Sequence, residues 1–137
     1  MKEQRRSTVA AAFFATAVML VRAAHAAPLA TPACTITGTP RADALAGTPG
    51  RDVICGLGGD DLIAGMAGDD VIVGGPGNDR IEGGPGRDTM LGGAGNDTIL
   101  AWDKTPDRID GGAGRDKATL DHSDTKVTQV EVKVGTF

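Results

Sequence analysis

Residues 74–100 read GGPGNDRIE, GGPGRDTML, GGAGNDTIL: three nine-residue units that keep a Gly-Gly doublet, a glycine at position 4 and an aspartate at position 6 in phase. A fixed period of this kind belongs to stacked architectures, in which each unit packs on a copy of itself, rather than to a single catalytic constellation. Followed outward, the units begin at Gly38, Gly47, Gly56, Gly65, Gly74, Gly83 and Gly92 and, after a one-residue insertion at Ala101, at Trp102 and Gly111. Position 6 is Asp43, Asp52, Asp61, Asp70, Asp79, Asp88, Asp97, Asp107 and Asp116 without exception. Position 8 is Leu45, Ile54, Ile63, Ile72, Ile81, Met90, Ile99, Ile109 and Ala118, always apolar.

Two chemistries repeated every nine residues would scatter around a helix axis, but they suit a three-residue strand joined to a six-residue turn. Position 8 then points inward from the strand, and positions 7 and 9, which include Arg80, Glu82, Thr89, Thr98 and Arg108, face out. The turn glycines let the backbone approach closely and aim carbonyl oxygens at a common point, where the aspartate supplies a carboxylate. Carboxylate and carbonyl oxygens without His or Cys make a site for a hard cation. Calcium, which accepts six to eight oxygens in irregular geometry, suits a backbone-built turn better than magnesium.

These units resemble the repeats-in-toxin, or haemolysin-type, calcium-binding nonapeptide GGxGxDxUx over residues 38–119. The resemblance implies an all-β, right-handed parallel β-roll in which two units make one coil, with Ca2+ between stacked turns on each side. It implies that Asp61, Asp79 and Asp97 stack along one side and Asp52, Asp70 and Asp88 along the other. Carbonyls of Gly58, Gly75, Gly77, Gly84, Gly86, Gly93 and Gly95 would complete the shells. The units GTPRADALA and WDKTPDRID lack the glycine pattern, which sets Asp43 and Asp107 apart as ligands. Leu57 and Met66 stand where the second glycine belongs, at a cost in turn flexibility.

The ends of the chain read differently. Residues 1–26 combine a basic start, the thirteen-residue apolar run VAAAFFATAVMLV and the small residues Ala24-His25-Ala26, the pattern of a signal peptide cleaved after Ala26. The run is too short for a transmembrane helix, which needs about 20 residues. Arg5-Arg6 leaves the export route open. Residues 27–37 form an N-terminal cap segment and 120–137 a C-terminal capping strand around VEVKV. The leader holds 4 of the 14 basic and 1 of the 18 acidic residues, so the remainder carries 10 against 17, a formal charge of −7. All 21 glycines lie in that remainder, a composition that favours disorder unless something outside the chain supplies free energy.

The acidic balance argues against nucleic acid. No His-Glu-x-x-His, no Gly-x-Ser-x-Gly and no phosphate-binding loop is present, so the expectation is a secreted, non-enzymatic calcium-binding protein without membrane insertion. The alternative is an extracellular module that recognises a cell-surface glycan or protein, with Trp102 as the contact; otherwise Trp102 plugs the irregular coil. Cys34 and Cys55 are an even pair in an exported chain, the usual sign of a disulfide. In strict register their Cα atoms would lie ~10 Å apart along the strand, so a bridge requires the N-terminal cap to leave the register.

Overall fold

Strands form at the three positions that a six-residue turn would leave, but Val71–Pro76, Thr89–Ala94 and Arg108–Ala113 correct that division by running on through the first three turn positions, where the glycines also pair between coils. The computed structural model describes residues 33–134, so the signal-peptide expectation lies outside the described residues. In chain order the strands are β1 (Ile36–Thr37), β2 (Ala44–Ala46), β3 (Val53–Cys55), β4 (Leu62–Ala64), β5 (Val71–Pro76) and β6 (Arg80–Glu82). They continue with β7 (Thr89–Ala94), β8 (Thr98–Ala101), β9 (Arg108–Ala113), β10 (Lys117–Leu120), β11 (Val127–Thr128) and β12 (Glu131–Val134). Odd strands form one six-stranded parallel sheet and even strands a second, so the chain alternates between sheets and two units make one coil. The fold is a parallel β-roll closed by short strands at each end.

Register follows the sequence period. Ile54 lies beside Ile72 and Ile72 beside Met90, each 18 residues apart, whereas Met90 pairs with Ile109 and Ile99 with Ala118 at 19. The extra residue, Ala101, extends β8 and pairs with Leu120, both inside the roll at 1% and 5% exposure. The insertion is therefore absorbed as one more core residue rather than as a loop. The final coil is shorter, with Ala118 beside Val132, only 14 residues on.

Position 8 makes the core. Ile54, Ile72, Met90 and Ile109 from one sheet meet Ile63, Ile81, Ile99 and Ala118 from the other, all essentially inaccessible. Each buried isoleucine contributes about 1.5–3 kcal/mol. Ile36, Leu45, Val127 and Val130 continue the core at the ends, partly buried. Trp102 lies outside this core: the residue is 55% exposed, which overturns the expectation of a plug, because Ala101 and Leu120 already fill the irregular coil.

At the N-terminus the expectation of a cap out of register is also corrected. Ile36 pairs with Ile54 and Thr37 with Cys55, as the 18-residue spacing requires. The departure is confined to the bend at Thr35, whose N–H donates to the Val53 carbonyl (2.7 Å), and to Cys34 before it. Cys34 thereby reaches Cys55 at a Cα separation of 5.9 Å and is bonded to it. At the other end the C-terminal cap is two strands, β11 and β12, one on each sheet.

Leu57 and Met66 keep the turn conformation of the glycines they replace, with φ of 80° and 82° and side chains 46% and 53% exposed. Left-handed backbone costs a side-chain-bearing residue about 1–2 kcal/mol. Leu57→Gly and Met66→Gly are each expected to stabilise the folded protein by about 0.5–1 kcal/mol, after allowing for the greater unfolded-state entropy of glycine. A rise in the denaturant midpoint checks this, and a fall would mean that the exposed side chains hold the turn in a way backbone conformation does not explain.

Candidate metal centre

Stacking units 18 or 19 residues apart puts the position-6 aspartates into two columns, one along each line of turns. In the first, the N–H groups of Asp43, Asp61, Asp79 and Asp97 each donate to Oδ1 of the next member, ending on Asp116, all at 2.8 Å. In the second, Asp52, Asp70 and Asp88 donate to Asp70, Asp88 and Asp107 at 2.8–2.9 Å, and Asp107 donates to Asp124 at 3.3 Å. Every aspartate from Asp52 to Asp116 at position 6 is at most 5% exposed.

The second carboxylate oxygen decides what the columns can do. Oδ2 of Asp61, Asp70, Asp79, Asp88, Asp97, Asp107 and Asp116 is buried with no hydrogen-bond partner. A buried, unpaired charged oxygen costs several kcal/mol, and native proteins seldom keep one without an ion, a proton or a water to meet it. Burial holds the Asp70 and Asp97 carboxyls above the ordinary 3.8 and pushes Asp79 up to about 6. The same cause pushes Asp88 and Asp107 up to about 7. In each, the hydrogen bond from the preceding coil pulls downward and neighbouring carboxylates push further up.

The rest of the donor set is backbone. Among the described residues no three His, Cys, Asp or Glu side chains gather as a metal-binding group, so carboxylates alone do not build a site. Gly75, Gly84 and Gly93 at position 2 and Gly77, Gly86 and Gly95 at position 4 have positive φ and lie against the carbonyl oxygens of the coil before. Gly58 differs: it occupies position 3, and its neighbour Gly59 takes the left-handed place at position 4. Oxygen-only donors around orphaned carboxylate oxygens fit a hard cation.

Several of these features have no counterpart in the sequence period. Asp107 and Asp116, the first set apart and the second not singled out, have the same buried, unpaired Oδ2 as the inner aspartates. Asp52 does not: Thr48 donates to its Oδ2 through N–H (2.6 Å) and hydroxyl (2.8 Å), as Thr39 does to Asp43. Position-5 side chains form a ladder of their own. Asn78 N–H donates to Asp60, Asn96 to Asn78 and Arg115 to Asn96, while Arg87 donates to Asp69. The glycine-poor turns near the C-terminus are closed by side chains as well. Asp103 accepts from the N–H of Gly86 and Thr105, Thr105 donates to the Gly86 carbonyl, and Asp121 accepts from Lys104 and Ser123. Trp102 lines a shallow depression of about 250 Å³ with Glu82, Leu100, Asp103 and Thr119.

Comparison with known proteins adds to this geometry. The family model of the RTX calcium-binding nonapeptide repeat matches residues 37–72, 65–99 and 106–119, more than half of the chain. The solution structure of the AlgE6R3 subunit from the Azotobacter vinelandii mannuronan C5-epimerase is similar at 33% identity and a TM-score of 0.47. That similarity covers 69% of this chain and 54% of the other, so the chain spans about half the length of that structure. Among curated proteins none matches the chain.

Proposed function

The chain belongs to the RTX calcium-binding nonapeptide repeat family, and from that premise we propose that it is an exported, non-catalytic protein whose roll is assembled by calcium. The observation that carries this reading is the row of buried, unpartnered Oδ2 atoms along both columns. The proposed ligands are the carboxylates of Asp61, Asp70, Asp79, Asp88, Asp97, Asp107 and Asp116, with carbonyls of the position-2 and position-4 turn residues. Among the latter are Gly75, Gly77, Gly84, Gly86, Gly93 and Gly95, with Gly59 in place of Gly58. Asp52 is left out, since Thr48 already holds its second oxygen. Bound calcium supplies the positive charge that lets stacked carboxylates stay ionised inside the roll; the chain supplies their spacing.

Export is supported by the apolar leader with its small-residue cleavage pattern and by the Cys34–Cys55 bond, which persists in oxidising compartments. Within the described residues no helix is long and apolar enough to cross a membrane. A non-catalytic role is supported by the arrangement of the carboxylates: their Oδ1 atoms accept from the coil before, in repeated columns rather than as a nucleophile with its base.

A calcium titration followed by circular dichroism tests the reading, with a folding midpoint expected at roughly 10⁻⁴–10⁻³ M and no equivalent response to magnesium. Asp79→Asn, which keeps shape but removes charge in mid-column, is expected to raise the midpoint about tenfold. Asp43→Asn should move it less than about threefold, because Thr39 already satisfies that carboxylate. Equal shifts for the two would sink the stacked-ion arrangement.

A further inference from the structure

Two turns with nearly the same sequence differ in how they close. Residues 47–52 read GTPGRD and residues 83–88 read GGPGRD, so the only difference is Thr48 against Gly84. In the second turn Gly84 is left-handed (φ +95°) and Asp88 Oδ2 is buried without a partner. In the first, Thr48 has no positive φ, and its N–H and hydroxyl both donate to Asp52 Oδ2. The turn one unit earlier, GTPRAD at 38–43, repeats the arrangement with Thr39 and Asp43 at 2.6 and 2.8 Å.

Loss of the glycine does not by itself explain this. Leu57 and Met66 also replace position-2 glycines, yet both remain left-handed, and Asp61 and Asp70 in their units keep an orphaned Oδ2. What separates the first coil is a hydroxyl, which with its own N–H supplies two donors at the oxygen that the inner turns leave bare. The threonine hydroxyl also accepts the N–H two residues on, from Arg41 or Gly50, so the side chain is locked in place. The same coil is the one stapled by Cys34–Cys55 and by the Thr35 bonds to Val53.

We propose that the first coil, residues 34–55, closes without a cation, with Thr39 and Thr48 doing for Asp43 and Asp52 what calcium does for the inner aspartates. It is thus a metal-independent base on which the calcium-dependent coils assemble. The inference rests on the calcium reading above and gives it a direction. Stability in stacked repeats is a sum of unit and neighbour terms, so an element that is ordered before the ion arrives sets where assembly starts. The Thr-Pro units set that element at the N-terminal end of the roll.

Amide hydrogen exchange on the full, disulfide-bonded chain tests it. In excess chelator the amides of Thr39 and Thr48 are expected to exchange about tenfold or more slowly than those of Gly77 and Gly95, the difference that a bond to a charged acceptor supports. In calcium Gly77 and Gly95 become slow as well. Thr48→Gly, which makes the turn identical in sequence to 83–88, is expected to lose the Thr48-site protection in chelator and regain it in calcium; Thr48→Ser, which keeps the hydroxyl, should retain it in both. If Thr39 and Thr48 exchange in chelator as fast as Gly77 and Gly95, or if the serine variant behaves as the glycine variant does, the metal-independent base is overturned while the calcium reading stands. If Gly77 and Gly95 are already slow in chelator, it is the calcium reading that fails.

Discussion

At pH 8 in excess chelator the inner coils are expected to be unfolded, and acidification alone, with no calcium added, is expected to restore much of the β signal by about pH 5. The sign follows from the buried carboxyls. Asp79 stands at about 6 and Asp88 and Asp107 at about 7 in the folded chain, against 3.8 for an ordinary aspartate. Between pH 4 and 7 the folded state therefore holds protons that the unfolded chain has released, so stability falls as pH rises through that window. The contribution is complete below about pH 4 and gone above about pH 7. A proton on Oδ2 answers the same unpaired oxygen that calcium answers, and the two should compete: the calcium midpoint at pH 6 is expected to lie above that at pH 8. Ellipticity measured across pH 5–8 with and without chelator checks both halves. An apo chain that gains structure as pH rises would contradict the burial of these carboxylates.

The second large effect is steric. Gly93 has φ +122°, and a Cβ built on it would overlap the Gly75 carbonyl oxygen one coil back. Gly93 is held on both sides, paired with Gly75 and with Gly112, so neither neighbour can move away without breaking the ladder. Gly93→Ala is expected to destabilise the roll by about 3 kcal/mol or more, combining a backbone conformation that L-residues avoid with contact against rigid main chain. Its counterpart is Gly50→Ala. Gly50 is also a turn glycine, but its φ is not positive, and the nearest atom to its Cβ position is the Thr48 hydroxyl at 3.8 Å. That change should stay within about 0.5 kcal/mol. Denaturant midpoints in saturating calcium distinguish them, and similar losses for both would mean that the first coil shares the inner turns' geometry after all.

The contrast between these glycines marks what the sequence makes legible. Where the period is intact, repetition itself fixes the answer: nine residues allow one short strand and one turn, isoleucine at position 8 must face inward, and aspartate at position 6 must fall beside its copy 18 residues away. The two sheets, the core columns and the carboxylate columns all follow from that. At the ends the period lapses and side chains take over from glycines, and their bonds depend on rotamers that spacing does not record. Thr39 and Thr48 look like two missing glycines, although they close the turns they interrupt. Asp124 stands 17 residues beyond Asp107 with no glycine near it, so no template finds it, yet it takes the next place in the column. The Cys34–Cys55 bridge escapes the spacing for a related reason: the strand register is regular, but the bend at Thr35 that brings the sulfurs together is not.

The uniform register has a kinetic consequence. Inner coils pair residues 18 or 19 apart and the closing one pairs residues 14 apart, so every strand contact closes a loop of similarly small size, wherever it lies in the chain. Parallel sheets are ordinarily slow to form because their contacts span long stretches of chain, and folding rates fall as that span grows relative to length. Here the span stays constant while length increases. Adding coils lowers the relative contact order, so a roll of twice as many units would meet no entropic barrier larger than the first loop presents.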